Sequence, residues 1–592
     1  MSVIWTGIAL RSWLTPAVVI TVITACMVAG LRLALPALAQ IPHRFKQEVY
    51  WWRSQDLLIK TLVFASLILL SLLGCAAFLT PPIGDAEAFY ITYPKIIADS
   101  QRFIPMPGLY ATFSQIGLVG ELHFAALMQI GDVRTAKLFV WPVSIAAGLM
   151  LMALAARLGC GRRGQWFALL ILLTSTSFTN YVYDGKVDNF AAALGITAAY
   201  WALRCGENDR PNFSVALTGL LAGFASLAKF SYLAALLPFV FLLIWWQLPN
   251  EPSSPRNSQF ALKARACFIF AVCVGLSWIP QLVKNSLLFG NSFAPFIGAP
   301  EASSIIDQVW FSPEITRRIV LTYPLALVFG RYPMQGGNLS FLLLAFLPLA
   351  LFIPRPKAML RSPLVQVTVI ALMGTLVWVA LRPSLIAPRY ILATLLLFVP
   401  LAARAVEYAY DNEQSPHWLR FGIVATCLGA ALIFSYPLRK IPVALAQYAQ
   451  GTLAACALAS IYCAPLNEIN AKASPGDRIY FANYYGYWLR SDLLECRDDR
   501  TDGSILSQIL DGEPFWNVLA ERGFRYVIID KTSHAAVLKR LGEKAGPNWI
   551  ELKTFSENPD VVIYHLEPTA APVQPAVECR QISPPAWDVV SR

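Results

Sequence analysis

Charge is scarce in this sequence. Only 14% of the residues are Asp, Glu, Lys or Arg, against about 25% in a soluble globular chain. A larger soluble core does not explain the deficit, because a single core stops growing at about 250–300 residues and this chain has 592. With 56% hydrophobic residues, the apolar surplus has to face lipid. Histidine is also sparse, at 5, and none of the 11 cysteines forms a CxxC pair. A structural zinc site or a redox motif is therefore not expected. Most cysteines (Cys26, Cys75, Cys267, Cys273, Cys427) lie in apolar runs and read as small apolar filler. Cys496 and Cys579 lie near the C-terminus and could pair if that part sits in an oxidising compartment. No cleavable leader is legible: the first apolar run, about 14–38, is too long for a signal h-region and lacks a clean cleavage site.

What is present is a series of long apolar runs, such as 57–80 and 232–248. A hydrocarbon core of about 30 Å needs about 20 helical residues. Alternating barrel strands are missing, so the spans are helices, which satisfy their own backbone groups in lipid. The pattern predicts about twelve of them, near 14–36, 57–79, 136–156, 165–183, 189–204, 212–229, 231–248, 266–283, 339–354, 364–381, 390–408 and 419–437.

The net charge of +11 concentrates in alternate short loops, for example Arg157, Arg162 and Arg163, or Arg256, Lys263 and Arg265. These mark the cytoplasmic side, so topology and not nucleic-acid binding accounts for the basic balance. The other side then holds a loop at 80–135, short turns at 184–188 and 382–389, a loop at 284–338 and everything after 438. The 80–135 loop carries periodic apolar segments that read as surface helices.

The organisation expected is an extra N-terminal span with its cytoplasmic loop (1–56), a helical membrane core (57–437), a small extracytoplasmic α/β domain (438–567) and a Pro-rich tail (568–592). In the third part a helical stretch runs from 441 to about 473. Strand-like runs (RIYFANYYGYWL, RYVIID, 550–555, 561–566) then alternate with helical 505–522 and 535–544.

Ionisable groups at the outer ends of membrane helices are costly and tend to mark sites. Asp85 and Glu87 stand in TPPIGDAEAFY, just after the 57–79 span; Asp85 is equally a good helix N-cap. Asp184 and Asp188 flank Lys186 in a very short turn, and Asp188 is a candidate partner for Asp85. Glu121 lies on the second surface segment; its neighbour His123 has no companion at metal spacing and reads as packing. Lys229 ends a helix of small residues, where it either snorkels or holds a phosphate. Lys284, Arg331, Arg382 and Arg389 put positive charge on the outer side against the usual trend, which a bound anion would explain and loose interface anchoring would also explain. Together, carboxylates near cations suit transfer from a lipid phosphate: the carboxylate takes a proton from a hydroxyl and the cations stabilise the departing phosphate. Lysine and arginine can supply that charge, so no divalent metal or other cofactor is demanded.

The same residues carry a resemblance. GDAEAFY followed by YPK, YDGKVDNFAAALGITAAYWALR, AGFASLAKFSYLAAL, WIPQLVKNSLLFGNSFAPF and APRYILATLLLFVPLAA resemble, in order and spacing, the GT-C glycosyltransferases, which include protein O-mannosyltransferases and the aminoarabinose transferases of lipid A. The likeness covers roughly 57–400. It implies a bacterial inner-membrane enzyme that takes a monosaccharide from a polyprenyl-phosphate donor to a hydroxyl acceptor on the extracytoplasmic face, with inverting and retaining outcomes both open. By resemblance Asp85 is the base, with Glu121 and Asp188 as further acids. Lys229 and Arg389 correspond to groups near the lipid phosphate, Lys284 is a further candidate there, and Glu87, Asp184, Arg331 and Tyr390 are possible additions. Three departures stand out: Ala86 separates Asp85 from Glu87 where many relatives have adjacent Asp-Glu, Phe89-Tyr90 stands where one subgroup has a Tyr-His pair, and the chain carries a span before the family core. A transporter or flippase and a non-catalytic membrane scaffold are the rival readings; the first normally shows internal repeats and midplane charges, and neither is evident.

Overall fold

The Leu57–Leu79 helix starts where Asp56 accepts a hydrogen bond from the Ile59 amide (2.9 Å), a helix N-cap. It stops at Thr80 because Pro81 and Pro82 cannot extend the amide ladder. The chain then turns through Gly84, at φ +61°, a conformation that glycine adopts without steric cost. These features, all written in the local sequence, place Asp85 at the end of the bundle.

The fold is described from a computed structural model, over residues 1–567 apart from 106–112, 207–210, 249–255, 295, 298–316, 318–319, 324, 331–336, 355–360, 382–386, 482–485, 495–496, 499–514, 531–548 and 556–557. Among the described residues seven helices are long and apolar enough to cross a membrane: Pro16–Leu38, Leu57–Leu79, Val133–Arg157, Pro211–Ala228, Phe260–Phe289, Pro363–Ala380 and His417–Ala449. The bent pair Pro388–Leu396 and Val399–Asp411, at 52°, makes up to eight. The chain is a multi-pass membrane protein.

The remaining expected spans fall on shorter or broken helices. The segment at 165–183 divides into Arg162–Leu173 and Thr176–Asp184. The physical reason is a run of hydroxyls: Ser175 Oγ donates to the Ile171 carbonyl and the Ser177 amide to the Asn338 carbonyl, so side chains and a neighbouring loop replace the continuous ladder. Asp188–Leu203 has 16 residues, and Tyr232–Gln247 and Phe341–Phe352 are short apolar helices.

Pro16–Leu38 buries only Val19 along its length, so nearly all of its surface faces outward. A further helix, Ser2–Leu10, precedes it and was not evident from sequence. It packs on the Glu121–Met128 and Arg256–Phe289 helices, and its Ser2 hydroxyl donates to the Val119 carbonyl (2.9 Å).

At one end of the bundle the basic residues of the expected cytoplasmic loops meet acids. Arg163 bridges Asp411 (2.5 Å) and Arg162 bridges Glu48 (3.4 Å). Buried Glu407 accepts the amides of Gly161 (2.8 Å) and Gly164 (2.7 Å) at the start of Arg162–Leu173, where helix geometry leaves donors unsatisfied.

The opposite end carries the 80–135 loop and the C-terminal part. The loop holds a π-helical turn, Ala86–Tyr90, then helices Thr92–Ser100 and Glu121–Met128. The C-terminal part holds a five-stranded sheet: β1 (Arg478–Phe481), β2 (Arg497–Asp498), β3 (Phe524–Asp530), β4 (Trp549–Phe555) and β5 (Asn558–Leu566), ordered β2-β1-β3-β5-β4. The β1 pairings are parallel, and those of β5 with β3 and β4 are antiparallel. Alternation along β1 and β3 splits the sheet between two cores. Ile479, Phe481, Tyr526 and Ile528 pack with Ile96, Ile97 and Leu466, while Tyr480, Val527 and Ile529 pack with Trp516 and Trp549. Lys95 reinforces the first contact by donating to the carbonyls of Tyr487 (3.1 Å) and Leu489 (2.7 Å).

Two expectations need correction in detail. Among the described residues the strand-like run from Arg478 holds a strand at Arg478–Phe481 and a short 3-10 turn at Gly486–Trp488, with 482–485 outside the described residues. The helical stretch from 441 breaks after Ala449, turns at Gly451 (φ +69°) and resumes only at Cys463. A disulfide joins Cys456 to Cys463 across that break, with Cα atoms 5.7 Å apart, within the usual range. Cys496 and Cys579, the helical segment 535–544 and the tail 568–592 lie outside the described residues.

Candidate active site

Two carbonyl-bearing helix ends are tied by one buried cation. Lys137 donates to the Thr80 carbonyl, to Thr80 Oγ1 (2.9 Å) and to the Tyr183 carbonyl (2.5 Å). An ammonium suits this place, because the last carbonyls of a helix are unsatisfied and carry partial negative charge. The tie fixes the Asp85 turn beside the Asp184–Asp188 turn. That second turn is closed by Gly185 at φ +84°, after which Asp188 begins the next helix.

The charged side chains then form one connected set. Lys186 pairs with Asp184 (3.3 Å) and lies 4.0 Å from Asp85. Asp85 pairs with Arg389 (2.5 Å). Arg389 donates to the Tyr390 hydroxyl (2.7 Å), and Lys229 sits over the Tyr390 ring, 4.8 Å from its centre. Lys229 completes the set with Asp188 (2.6 Å) and reaches the Tyr90 hydroxyl at 3.5 Å. All six ionic members except Asp85 are buried; the Asp85 side chain is 28% exposed.

Several buried polar atoms here have no hydrogen-bond partner: both oxygens of Glu121, Asp188 Oδ2, Arg389 Nε and the Tyr181 hydroxyl. Buried polar groups are normally satisfied, and each exception asks for an explanation. An arrangement with donors and acceptors left over is one that accommodates a polar ligand.

The loop carboxyls divide by environment. Burial works to raise Asp85, but the charges of Arg389, Lys186 and Lys229 and the Arg389 hydrogen bond overcome it and hold the group at about 2. Burial raises Glu121 to about 7; Asp188 adds to this, and its own backbone amide, Lys229 and Lys284 oppose it. Glu121 is thus poised to hold or release a proton near neutrality.

Most of the residues singled out in the sequence are brought together: Asp85, Asp184, Asp188, Lys229, Arg389 and Tyr390, with Glu121 alongside. Asp188 partners Lys229 and not Asp85, whose partner is Arg389. Lys284 is held apart from the ionic set, its ammonium donating to the Ser114 and Ile116 carbonyls (both 2.7 Å). It lines a small cavity of about 20 Å³ with Ser2, Gly117 and Gln281. Glu87 turns away from the set toward Ser460. His123 bonds the Val119 carbonyl (2.9 Å) and stacks on Phe139. Arg331 and Arg382 lie outside the described residues. Among the described residues no group of three or more His, Cys, Asp or Glu side chains is placed to hold a metal.

Sequence reasoning passed over Lys137 and Ser460, and left Lys186 and Tyr90 without a role. Lys186 had a signal, a basic residue between two acids in a tight turn. Ser460 had none, since its partner lies 373 residues away.

This bundle, with helices in its first outer loop and charged groups at that mouth, has a fold of the GT-C type. Among solved structures it is similar to ArnT from Cupriavidus metallidurans bound to undecaprenyl phosphate, at TM-score 0.53 and 16% identity, over 86% of this chain and 99% of that one. The apo state of the same ArnT aligns at TM-score 0.51 and 15% identity, over 86% and 99%. The arabinofuranosyltransferase AftD from Mycobacteria aligns over 89% of this chain and 40% of its own, at TM-score 0.49 and 14% identity. No family model matches the chain, and no curated protein matches it. The likeness is one of fold.

Proposed function

We propose that this protein is a glycosyltransferase that moves a monosaccharide from a polyprenyl-phosphate donor to a hydroxyl acceptor on the extracytoplasmic side of a bacterial inner membrane. The observation that carries the reading is the connected set Asp85–Arg389–Tyr390–Lys229–Asp188, with unpartnered polar atoms left on Arg389, Asp188 and nearby Glu121. A cation pair flanked by carboxylates at the mouth of a membrane bundle fits a lipid-borne phosphate joined to a sugar rich in hydroxyls. The fold shared with ArnT, solved with undecaprenyl phosphate bound, supports the donor class. The disulfide at Cys456–Cys463 supports an oxidising compartment for the C-terminal part, as does the charge bias of the loops. The same placement supports the division into a leading span (1–56), a catalytic membrane core (57–437) and an extracytoplasmic α/β domain (438–567).

In this mechanism Arg389 and Lys229 turn toward the donor phosphate. Asp85, held near 2 by Arg389 and its neighbours, is a poor base until phosphate takes over part of the guanidinium. Its carboxylate then accepts the proton of the acceptor hydroxyl. The acceptor oxygen forms a bond to the sugar's anomeric carbon, the bond from that carbon to the phosphate oxygen breaks, and the phosphate leaves as the polyprenyl monophosphate. Lysine and arginine stabilise the leaving charge. Glu121 and Asp188 orient sugar and acceptor through their free oxygens. The polyprenyl-linked sugar is a co-substrate, and the reading needs no divalent metal.

The test is binding followed by product analysis. The purified full chain in nanodiscs should bind undecaprenyl phosphate, and Arg389→Ala and Lys229→Ala should each weaken binding by at least tenfold. Mass spectrometry of glycolipids and glycans with and without the protein should show one added sugar. Intact binding in both variants, or transport of the lipid without any sugar transfer, would overturn the proposal.

A further inference from the structure

Glu87 is the buried acid that the ionic set does not use. It is fully buried, its Oε1 accepts a hydrogen bond from Ser460 (2.6 Å), and its Oε2 has no partner. It lies two residues beyond Asp85, in the Ala86–Tyr90 turn, which packs on the Gly486–Trp488 turn of the C-terminal part. Ser460 belongs to the segment closed into a ring by Cys456–Cys463. Three further contacts hold that ring. Leu458, inside it, adopts φ +64°, a conformation costly for a branched side chain that persists only when its surroundings impose it; the same side chain packs against the bundle core. Tyr462 packs with Leu466, Ile479 and Phe481 in the core between the sheet and the Thr92–Ser100 helix. Asn467 Nδ2 lies 3.6 Å from both sulfurs.

We propose that Glu87 and Ser460 form a strap by which the disulfide-closed 456–463 segment positions the turn carrying Asp85, so that the order of this turn depends on the Cys456–Cys463 bond. Glu87 is a positioning residue here: it touches no reacting atom and acts through the backbone it shares with Asp85. Reduction breaks the sulfur–sulfur bond with two electrons and two protons, giving two thiols; a dithiol reductant supplies both and closes to its own cyclic disulfide. Residues 456–463 then lose the ring that fixes Ser460 over Glu87, and the Ala86–Tyr90 turn loses its Glu87–Ser460 tie while keeping its backbone bonds, Ala88 to Gly84 and Ile91 to Ala86, and its packing on the Gly486–Trp488 turn. This inference does not depend on the transferase reading, since it concerns the order of one segment.

Amide hydrogen exchange on the full chain in nanodiscs tests it. Exchange at the Ala88 and Ile91 amides should rise about fivefold to tenfold with dithiothreitol, and equally in Ser460→Ala under oxidising conditions, as the net loss of one hydrogen bond implies. Glu87→Ala should behave as Ser460→Ala, whereas Glu87→Gln, which keeps the acceptor, should restore slow exchange. The 188–203 helix should be unaffected throughout. Ser460→Ala leaves the disulfide intact and so decides the matter even if reduction loosens the chain widely. Unchanged exchange at Ala88 and Ile91 in Ser460→Ala, or equal rates in Glu87→Ala and Glu87→Gln, would overturn the proposal.

Discussion

Arg389 meets Asp85 at 2.5 Å across 304 residues of sequence. The pair joins the first turn beyond the Leu57–Leu79 helix to the first turn of the bent Pro388–Leu396 segment, and Lys186, Asp184, Lys229 and Asp188 are gathered beside it.

If Asp85 is the proton acceptor, Asp85→Asn should reduce transfer by at least a thousandfold. Undecaprenyl phosphate affinity should stay equal to wild type or rise, because Arg389 loses its competing carboxylate. Turnover assays with binding isotherms on the same preparation check this; near-normal turnover removes Asp85 from the mechanism.

Glu121 should show the opposite signs for stability and activity. A buried carboxyl with both oxygens unpartnered is costly to keep. Glu121→Leu should therefore leave the melting temperature unchanged or raise it, and lower transfer by about a hundredfold, the usual scale of a proton-handling group. A large loss of stability would mean that Glu121 is structural.

Lys137 carries structure and not chemistry. Its ammonium serves the Thr80 and Tyr183 carbonyls, and charged hydrogen bonds contribute about 1.5–3 kcal/mol each. Lys137→Met should destabilise the chain by roughly 2–4 kcal/mol and reduce donor affinity indirectly. A stability change below about 0.5 kcal/mol, within the range of surface substitutions, would refute this role.

The pH dependence of stability should carry the imprint of Glu87. Burial raises its carboxyl from 4.5 to about 8, with Ser460 and the nearby Trp488 opposing the rise. Tyr487 faces it from the C-terminal part, and no lysine or arginine is among the described groups that shift it. A raised folded value means that the folded state holds the proton more tightly. The stabilisation is complete below about pH 4.5 and is lost as pH rises to about 8. Wild type should therefore lose melting temperature between pH 5 and pH 9 relative to Glu87→Gln, which cannot ionise. Parallel curves for the two proteins would contradict this account.

Lys284→Ala should leave undecaprenyl phosphate affinity within twofold of wild type, since its ammonium is spent on the Ser114 and Ile116 carbonyls. A tenfold loss, with the loop around 114–116 still ordered by hydrogen exchange, would place Lys284 at the phosphate instead.

Local sequence determined the spans and the turns. Apolar length placed Leu57–Leu79, and Asp56, Pro81, Pro82 and Gly84 set its ends, because helix formation and termination depend on neighbours within a turn or two. The same locality put Asp85, Asp188, Lys229 and Arg389 at helix ends on one side, and charge bias in the loops agreed. The broken span at Thr174–Ser175 was less legible, since its hydroxyls bond a loop more than 160 residues away.

Tertiary structure alone decided who pairs with whom. No spacing rule links Asp85 to Arg389, Lys229 to Asp188, Lys137 to two carbonyls, or Glu87 to Ser460. The Cys456–Cys463 ring likewise took its meaning from where the C-terminal part docks. The physical reason is that an apolar helix and its caps are specified by contacts a few residues apart. A buried charge, in contrast, takes whichever opposite charge or carbonyl the packed helices bring within about 3 Å, and that is a property of the assembled bundle.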